Sequence, residues 1–74
     1  MDWEAITRRL KVAERYVAEG ERHVDRARRA LESAIAHGLD PTPLEGALRT
    51  LELFQEAQTH ERDRLRAELK LLMQ

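Results

Sequence analysis

The sequence predicts an all-α fold, in which two helices form an antiparallel hairpin that pairs with a second copy into a dimeric four-helix bundle. Composition is the first observation: 36% of the residues are charged and 4% are aromatic, with only 3 Gly and 2 Pro. That profile is typical of long helices and coiled coils. The second observation is the helical spacing of the apolar residues, and the third is a single cluster of turn signals near the middle of the chain.

The first helix is expected over residues 3–37, because apolar or small residues recur there at alternating spacings of three and four. Its seam consists of Trp3, Ile6, Leu10, Ala13, Val17, Gly20, Val24, Ala27, Leu31 and Ala34. Small residues at alternate layers allow a neighbouring helix to approach closely. Val12, Tyr16, Ala30 and Ile35 widen the seam, which suggests contact with more than one helix.

The turn is expected at residues 38–42. Gly38 can adopt the left-handed conformation that ends a helix. Thr42 and Glu45 have the spacing of a capping box, with Pro43 at the first helical position. Because these stop and start signals lie about five residues apart, the two helices should be antiparallel neighbours.

The second helix is expected over residues 43–73, with a set of leucines and one phenylalanine on a single face: Leu44, Leu48, Leu51, Phe54, Leu65, Leu69 and Leu72. A single two-helix core of this size is only marginally stable by itself. Two-fold pairing of identical subunits is the most common closed assembly. We therefore expect a homodimer.

The apolar face of the second helix is interrupted at residues 55–64, QEAQTHERDR. Counting outward from the turn places Gln58 opposite His23 and Glu61 opposite Gly20. Three interpretations remain open at this point. The stretch forms a polar layer that fixes helix register, it faces water, or it borders a groove in which a partner helix docks.

An alternative function is a bundle that binds a metal or a small ligand at this level. Two Glu-x-x-x-His pairs, Glu19 with His23 and Glu56 with His60, would supply carboxylate and imidazole ligands. His60, however, falls on the outer side of the predicted seam. The H-E-x-x-H zinc motif is also incomplete, because Arg64 stands where the second histidine would be.

Several function classes are disfavoured by what the sequence lacks. It contains no cysteine, which excludes disulfides and thiol chemistry, and its net charge of −1 gives no field to attract nucleic acid. No apolar run is long enough for a signal peptide or a membrane span, so a cytoplasmic location is expected. No catalytic constellation or phosphate-binding loop is visible, and we expect no enzyme activity and no cofactor.

Three segments carry a resemblance to a known group of proteins. These are residues 17–24 (VAEGERHV), 51–54 (LELF) and 60–65 (HERDRL). They resemble short, uncharacterised helical-hairpin proteins of alphaproteobacteria, over about residues 10–70. That group has no assigned function, and the turn here contains more proline than is usual for it. The resemblance implies that the following residues belong to a shared pattern: Gly20, His23, His60, Asp63 and Arg64.

The sequence thus predicts a non-enzymatic interaction or scaffolding module that acts as a homodimer and that a further helical protein could join. The residues expected to contact a partner are Tyr16, Gly20, His23, Phe54, Gln58, His60 and Arg64.

Overall fold

The computed structural model describes residues 3–74, which form two long helices packed against each other. Helix α1 spans Trp3–Ala36 and helix α2 spans Thr42–Leu72. The hairpin measures 55 × 15 × 14 Å, and residues 3–74 contain no strand. The predicted all-α hairpin is confirmed. None of the described helices combines the length and the apolar character needed to cross a membrane.

The end of α1 is closed by a glycine in the left-handed conformation, as predicted. Gly38 has φ of 70°, and its amide donates to the carbonyl of Ile35 at 3.1 Å. The amide of Leu39 donates to the carbonyl of Ala34 at 2.9 Å. These two bonds form a Schellman motif, which turns the chain back beside the last turn of α1.

The start of α2 differs from the predicted capping box. Pro41 is the N-cap and Thr42 lies already inside the helix, with no capping bond from a side chain. Instead, the Thr42 amide donates to Asp40 Oδ1 at 3.0 Å, and this bond lowers the pKa of Asp40 below its usual value. Aspartate readily accepts the amide two residues ahead. Because α2 begins at Thr42, Pro43 occupies the second helical position rather than the first.

The hydrophobic core is thin and lies mostly towards the end of the hairpin where both termini meet. Leu65 is its most buried member, at 1% exposure, and it packs with Ile6, Leu10 and Ala13. Leu69 and Leu72 cover this cluster from α2. Further along α1, Val17, Val24 and Ala34 are also buried. Helix α1 therefore supplies most of the buried side chains.

The contact stripe of α2 does not stop at the polar stretch but becomes polar there. Its members, all buried or half-buried, are Leu44, Leu48, Leu51, Gln55, Gln58, Arg62, Leu65, Leu69 and Leu72. The prediction that Phe54 belongs to this face is wrong, since its side chain is 66% exposed. Along the stripe, spacings of four and three residues alternate, so that the member after Leu51 is Gln55, four positions on. Phe54 follows Leu51 by only three positions and therefore lies off the stripe.

Candidate functional site

The middle of the hairpin is joined by one glutamine that fills the space beside a glycine. Gln55 of α2 reaches α1, where its Nε2 donates to the backbone carbonyl of Val17 at 2.8 Å. A Cβ added to Gly20 would overlap Gln55 Oε1. The absence of a side chain at Gly20 is therefore what admits the glutamine between the two helices.

The amide oxygen of Gln55 is buried and has no hydrogen-bond partner. It lies where a Cβ on Gly20 would overlap it. A buried carbonyl oxygen without a hydrogen-bond partner is a cost to stability. The side-chain amide of Gln55 is thus hydrogen-bonded through its nitrogen and not through its oxygen.

The side chain beside Gly20 is not the predicted one. Glu61 was expected there, but Gln55 occupies that place. The ion pairs of Arg28 with Glu52 and of Glu14 with Arg66, by contrast, join residues that the count from the turn places within one position of each other.

Three ion pairs connect the helices at their exposed edges. They are Arg9 with Glu61 at 3.3 Å, Glu14 with Arg66 at 2.9 Å, and Arg28 with Glu52 at 3.0 Å. All six side chains are at least 40% exposed. Pairs of this kind are screened by water and salt and stabilise a fold only slightly.

Glu61 is the most heavily paired carboxylate on α2. Arg64 donates to it at 2.8 Å, and this bond, reinforced by the charges of Arg64 and Arg9, lowers the pKa of Glu61. The same pairing, together with Glu68, raises the pKa of Arg64. Arg64 was predicted to contact a partner, but its guanidinium is already held by two carboxylates of its own helix.

Side chains on one flank of the helix contact, which we call the tyrosine face, line two adjoining grooves. The larger groove has a volume of about 340 Å³ and is lined by Arg8, Arg9, Val12, Ala13, Tyr16, Gln58, Glu61 and Leu65. The smaller has about 180 Å³ and is lined by Tyr16, Glu19, Gly20, His23, Leu51, Phe54 and Gln55. Tyr16 stands between the two and borders both. Most of the wall surface is apolar, with charges placed at intervals.

The opposite flank, which we call the acidic face, has a different chemical character. Its groove of about 500 Å³ is lined by Val24, Arg28, Glu52, Gln55, Glu56, Thr59, His60 and Asp63. Three carboxylates and one arginine make it the more polar side of the hairpin. The two faces are separated by the contact stripe, and among the described residues that line these three grooves only Gln55 borders both faces.

The structure does not bring together the four residues of the alternative metal site. Glu19 and His23 lie on the tyrosine face, and Glu56 and His60 lie on the acidic face. Within residues 3–74, no three acidic or histidine side chains are placed to hold an ion. The predicted convergence of the two pairs is wrong, because they lie on opposite flanks of the contact stripe.

Of the residues predicted to contact a partner, most share one side of the molecule. Tyr16, Gly20, His23 and Phe54 line one groove, and Gln58 lines the groove next to it. His60 faces the other flank, and Arg64 lies in a shallow depression on the back of α2.

Sequence reasoning did not identify three residues of this site. Val12, Leu51 and Gln55 were assigned to the helix seams or to the polar interruption rather than to a groove. For Gln55, the available signal was the three–four spacing that places it on the contact stripe of α2.

Comparison with family models, curated proteins and solved structures found no match for this chain. The resemblance to alphaproteobacterial hairpin proteins therefore stays a prediction, and no residue role is taken from it.

Proposed function

We propose that this chain is a non-enzymatic interaction module that acts as a homodimer. The observation that carries the proposal is the surface area of the single hairpin. A compact monomer of 8.6 kDa exposes about 4,700 Å², whereas this hairpin exposes 5730 Å². The excess is about 1,000 Å², close to the roughly 800 Å² that each partner buries in a standard interface.

Exposed apolar side chains support the same proposal. Large hydrophobic residues that are at least 40% exposed occur on both helices and in the turn: Trp3, Val12, Tyr16, Ile35, Leu39, Leu53, Phe54, Leu71 and Met73. Val12, Tyr16 and Ile35 are among the residues that the sequence placed beside the α1 seam. A face of the hairpin measures 55 × 15 Å, or about 800 Å² in projection, which is enough for a standard interface.

The shape of the grooves supports a role in binding rather than in catalysis. Catalytic sites exclude water and converge several polar groups on one reacting atom. The grooves described here are open along the hairpin, and their carboxylates and histidines are divided between two faces. A surface of this kind suits the side of another helix.

Sedimentation equilibrium of the full chain tests the proposal. At about 10 µM and above, we expect a species of about twice 8.6 kDa. Its melting temperature should rise with protein concentration, because dissociation is then coupled to unfolding. A monomer that melts at one temperature across a hundredfold range of concentration would contradict the proposal.

A further inference from the structure

We infer that the second copy docks on the tyrosine face, with the two α1 helices antiparallel across a two-fold axis that passes between Val12 and Tyr16. The inference rests on the proposed homodimer and adds the surface and the orientation. It commits to a second copy as the occupant, for reasons of charge and area.

The order of side chains along α1 carries the orientation. On the tyrosine face, positions 9, 12, 16 and 19 read Arg, Val, Tyr and Glu at spacings of three, four and three. These spacings are the same when read from either end. Rotation about the midpoint of the segment therefore places Arg9 against Glu19 of the other copy, and Val12 against Tyr16.

A parallel arrangement of the same surfaces is disfavoured by charge. It would place Arg9 against Arg9 and Glu19 against Glu19, and like charges across an interface are repulsive. Glu19 has no ion-pair partner among residues 3–74. Its carboxylate is therefore available to a guanidinium from the second copy.

The ion pairs that Glu61 of α2 forms on the tyrosine face are compatible with the proposed two-fold axis. Glu61 lies near it, but Arg9 and Arg64 hold its carboxylate at 3.3 and 2.8 Å, so that two unpaired carboxylates do not meet. Arg9 can serve both Glu61 and the incoming Glu19, since a guanidinium carries five N–H donors. Tyr16 and Phe54 supply the large apolar surfaces that dominate interface energetics.

The acidic face is the less suitable surface for a second copy. Two-fold pairing through it would bring together Glu52, Glu56 and Asp63 of each copy. Arg28 already binds Glu52 and Arg62 already binds Asp63, and no further arginine or lysine among the described residues lines the groove. Desolvation of Glu56, which then has no cation to pair with, is costly. The charges thus favour the tyrosine face.

Disulfide trapping tests the inference cleanly, because the chain has no cysteine. Val12→Cys and Tyr16→Cys proteins are mixed in equal amounts, oxidised and analysed by mass spectrometry. We expect the mixed 12–16 disulfide to exceed either homodisulfide by about tenfold, since only that pair lies at bonding distance. Predominance of 12–12 and 16–16 bonds would overturn the antiparallel orientation. Thr59→Cys, on the acidic face, is the matched control, and its preferential cross-linking would overturn the choice of face.

Charge reversal provides a second measurement that removes no apolar surface. Arg9→Glu and Glu19→Arg are each expected to weaken the dimer about tenfold. The double variant R9E/E19R should form a tighter dimer than R9E alone, because the cross-copy pairs are restored with reversed sign while the pair of Arg9 with Glu61 stays broken in both. A double variant as weak as R9E alone would overturn the inference.

The proposed homodimer and the proposed docking surface are contradicted by different results. If wild-type protein sediments as a monomer, the proposed function itself fails. If it sediments as a dimer while the cysteines and charge reversals on the tyrosine face have no effect, only the docking surface is wrong.

Discussion

Two regions of the α1–α2 contact hold the helices together by different means. Near the chain termini, Leu65 is enclosed by Ile6 and Leu10, with no polar atom in the cluster. At the middle of the hairpin, Gln55 enters the space beside Gly20, with one hydrogen bond made and one amide oxygen left without a partner.

This difference assigns stability and helix register to different regions of the contact. Apolar burial stabilises in proportion to the area removed from water and depends little on how the side chains are oriented. A glutamine that fits beside one glycine and bonds to one carbonyl is satisfied in a single alignment only. We expect the apolar end to supply most of the free energy of unfolding and the glutamine to select which helical turns face each other.

Leu65→Ala is the strongest test of the apolar end. The substitution removes the most buried side chain of a small cluster, and losses of about 2–5 kcal/mol are usual for such changes. In so thin a core, this should abolish a cooperative thermal transition followed by circular dichroism. Leu71→Ala, at a position 70% exposed, is the control and should change stability by less than about 0.5 kcal/mol. Equal effects of the two changes would mean that the cluster is not the main source of stability.

Alanine substitutions at two glycines test whether Gln55 restricts position 20 at the middle of the hairpin. Gly20→Ala and Gly46→Ala both gain about 1 kcal/mol from helix propensity, but only at Gly20 would the new Cβ overlap Gln55. We expect urea denaturation to show stabilisation by Gly46→Ala and little change from Gly20→Ala. The flexible glutamine end can move aside, but it then loses its bond to Val17, worth about 0.5–1.5 kcal/mol.

The same measurements in a Gln55→Ala background provide the control. With the glutamine removed, the two alanine substitutions should stabilise the hairpin equally, because the overlap no longer exists. A difference that persists in this background would show that something other than Gln55 restricts position 20.

The smallest expected effect is a pH dependence confined to the polar middle. The pKa of Glu61 is lowered in the folded chain, chiefly by Arg64. Its contribution is therefore complete above the usual glutamate pKa of 4.5 and is lost as the pH falls through the lower folded value. Opening free energies from amide hydrogen exchange should decrease below about pH 4.5 near Glu61 while the Leu65 cluster changes less.

Glu61→Gln is the matched variant for this measurement. It should remove the local acid sensitivity and leave a smaller one at the turn, where the pKa of Asp40 is also lowered. Uniform loss of protection along both helices on acidification would contradict the division between the two regions.

The hairpin was predictable because its signals are local and agree with each other. Unbroken spacing on α1 predicts one helix, and Gly38 followed by two prolines predicts where the chain reverses. The capping box was wrong because Asp40 competes for the same amide, a choice that depends on local geometry rather than on residue type.

The details of the site depend on distances that the sequence does not contain. Counting from the turn placed Glu61 beside Gly20, where the structure has Gln55. Gln55 was treated as part of an interruption because polar residues on a stripe suggest exposure. Its packing against Gly20 involves residues 35 positions apart, and no local pattern marks such a pair.

The fit of Gln55 beside Gly20 has a consequence for how this chain can change during evolution. A side chain gained at position 20 displaces the glutamine, and a shorter residue at position 55 leaves the glycine beside an empty space. Substitutions at the two positions should therefore occur together in related sequences. Co-variation of positions 20 and 55 would then identify relatives whose overall similarity is too low to detect.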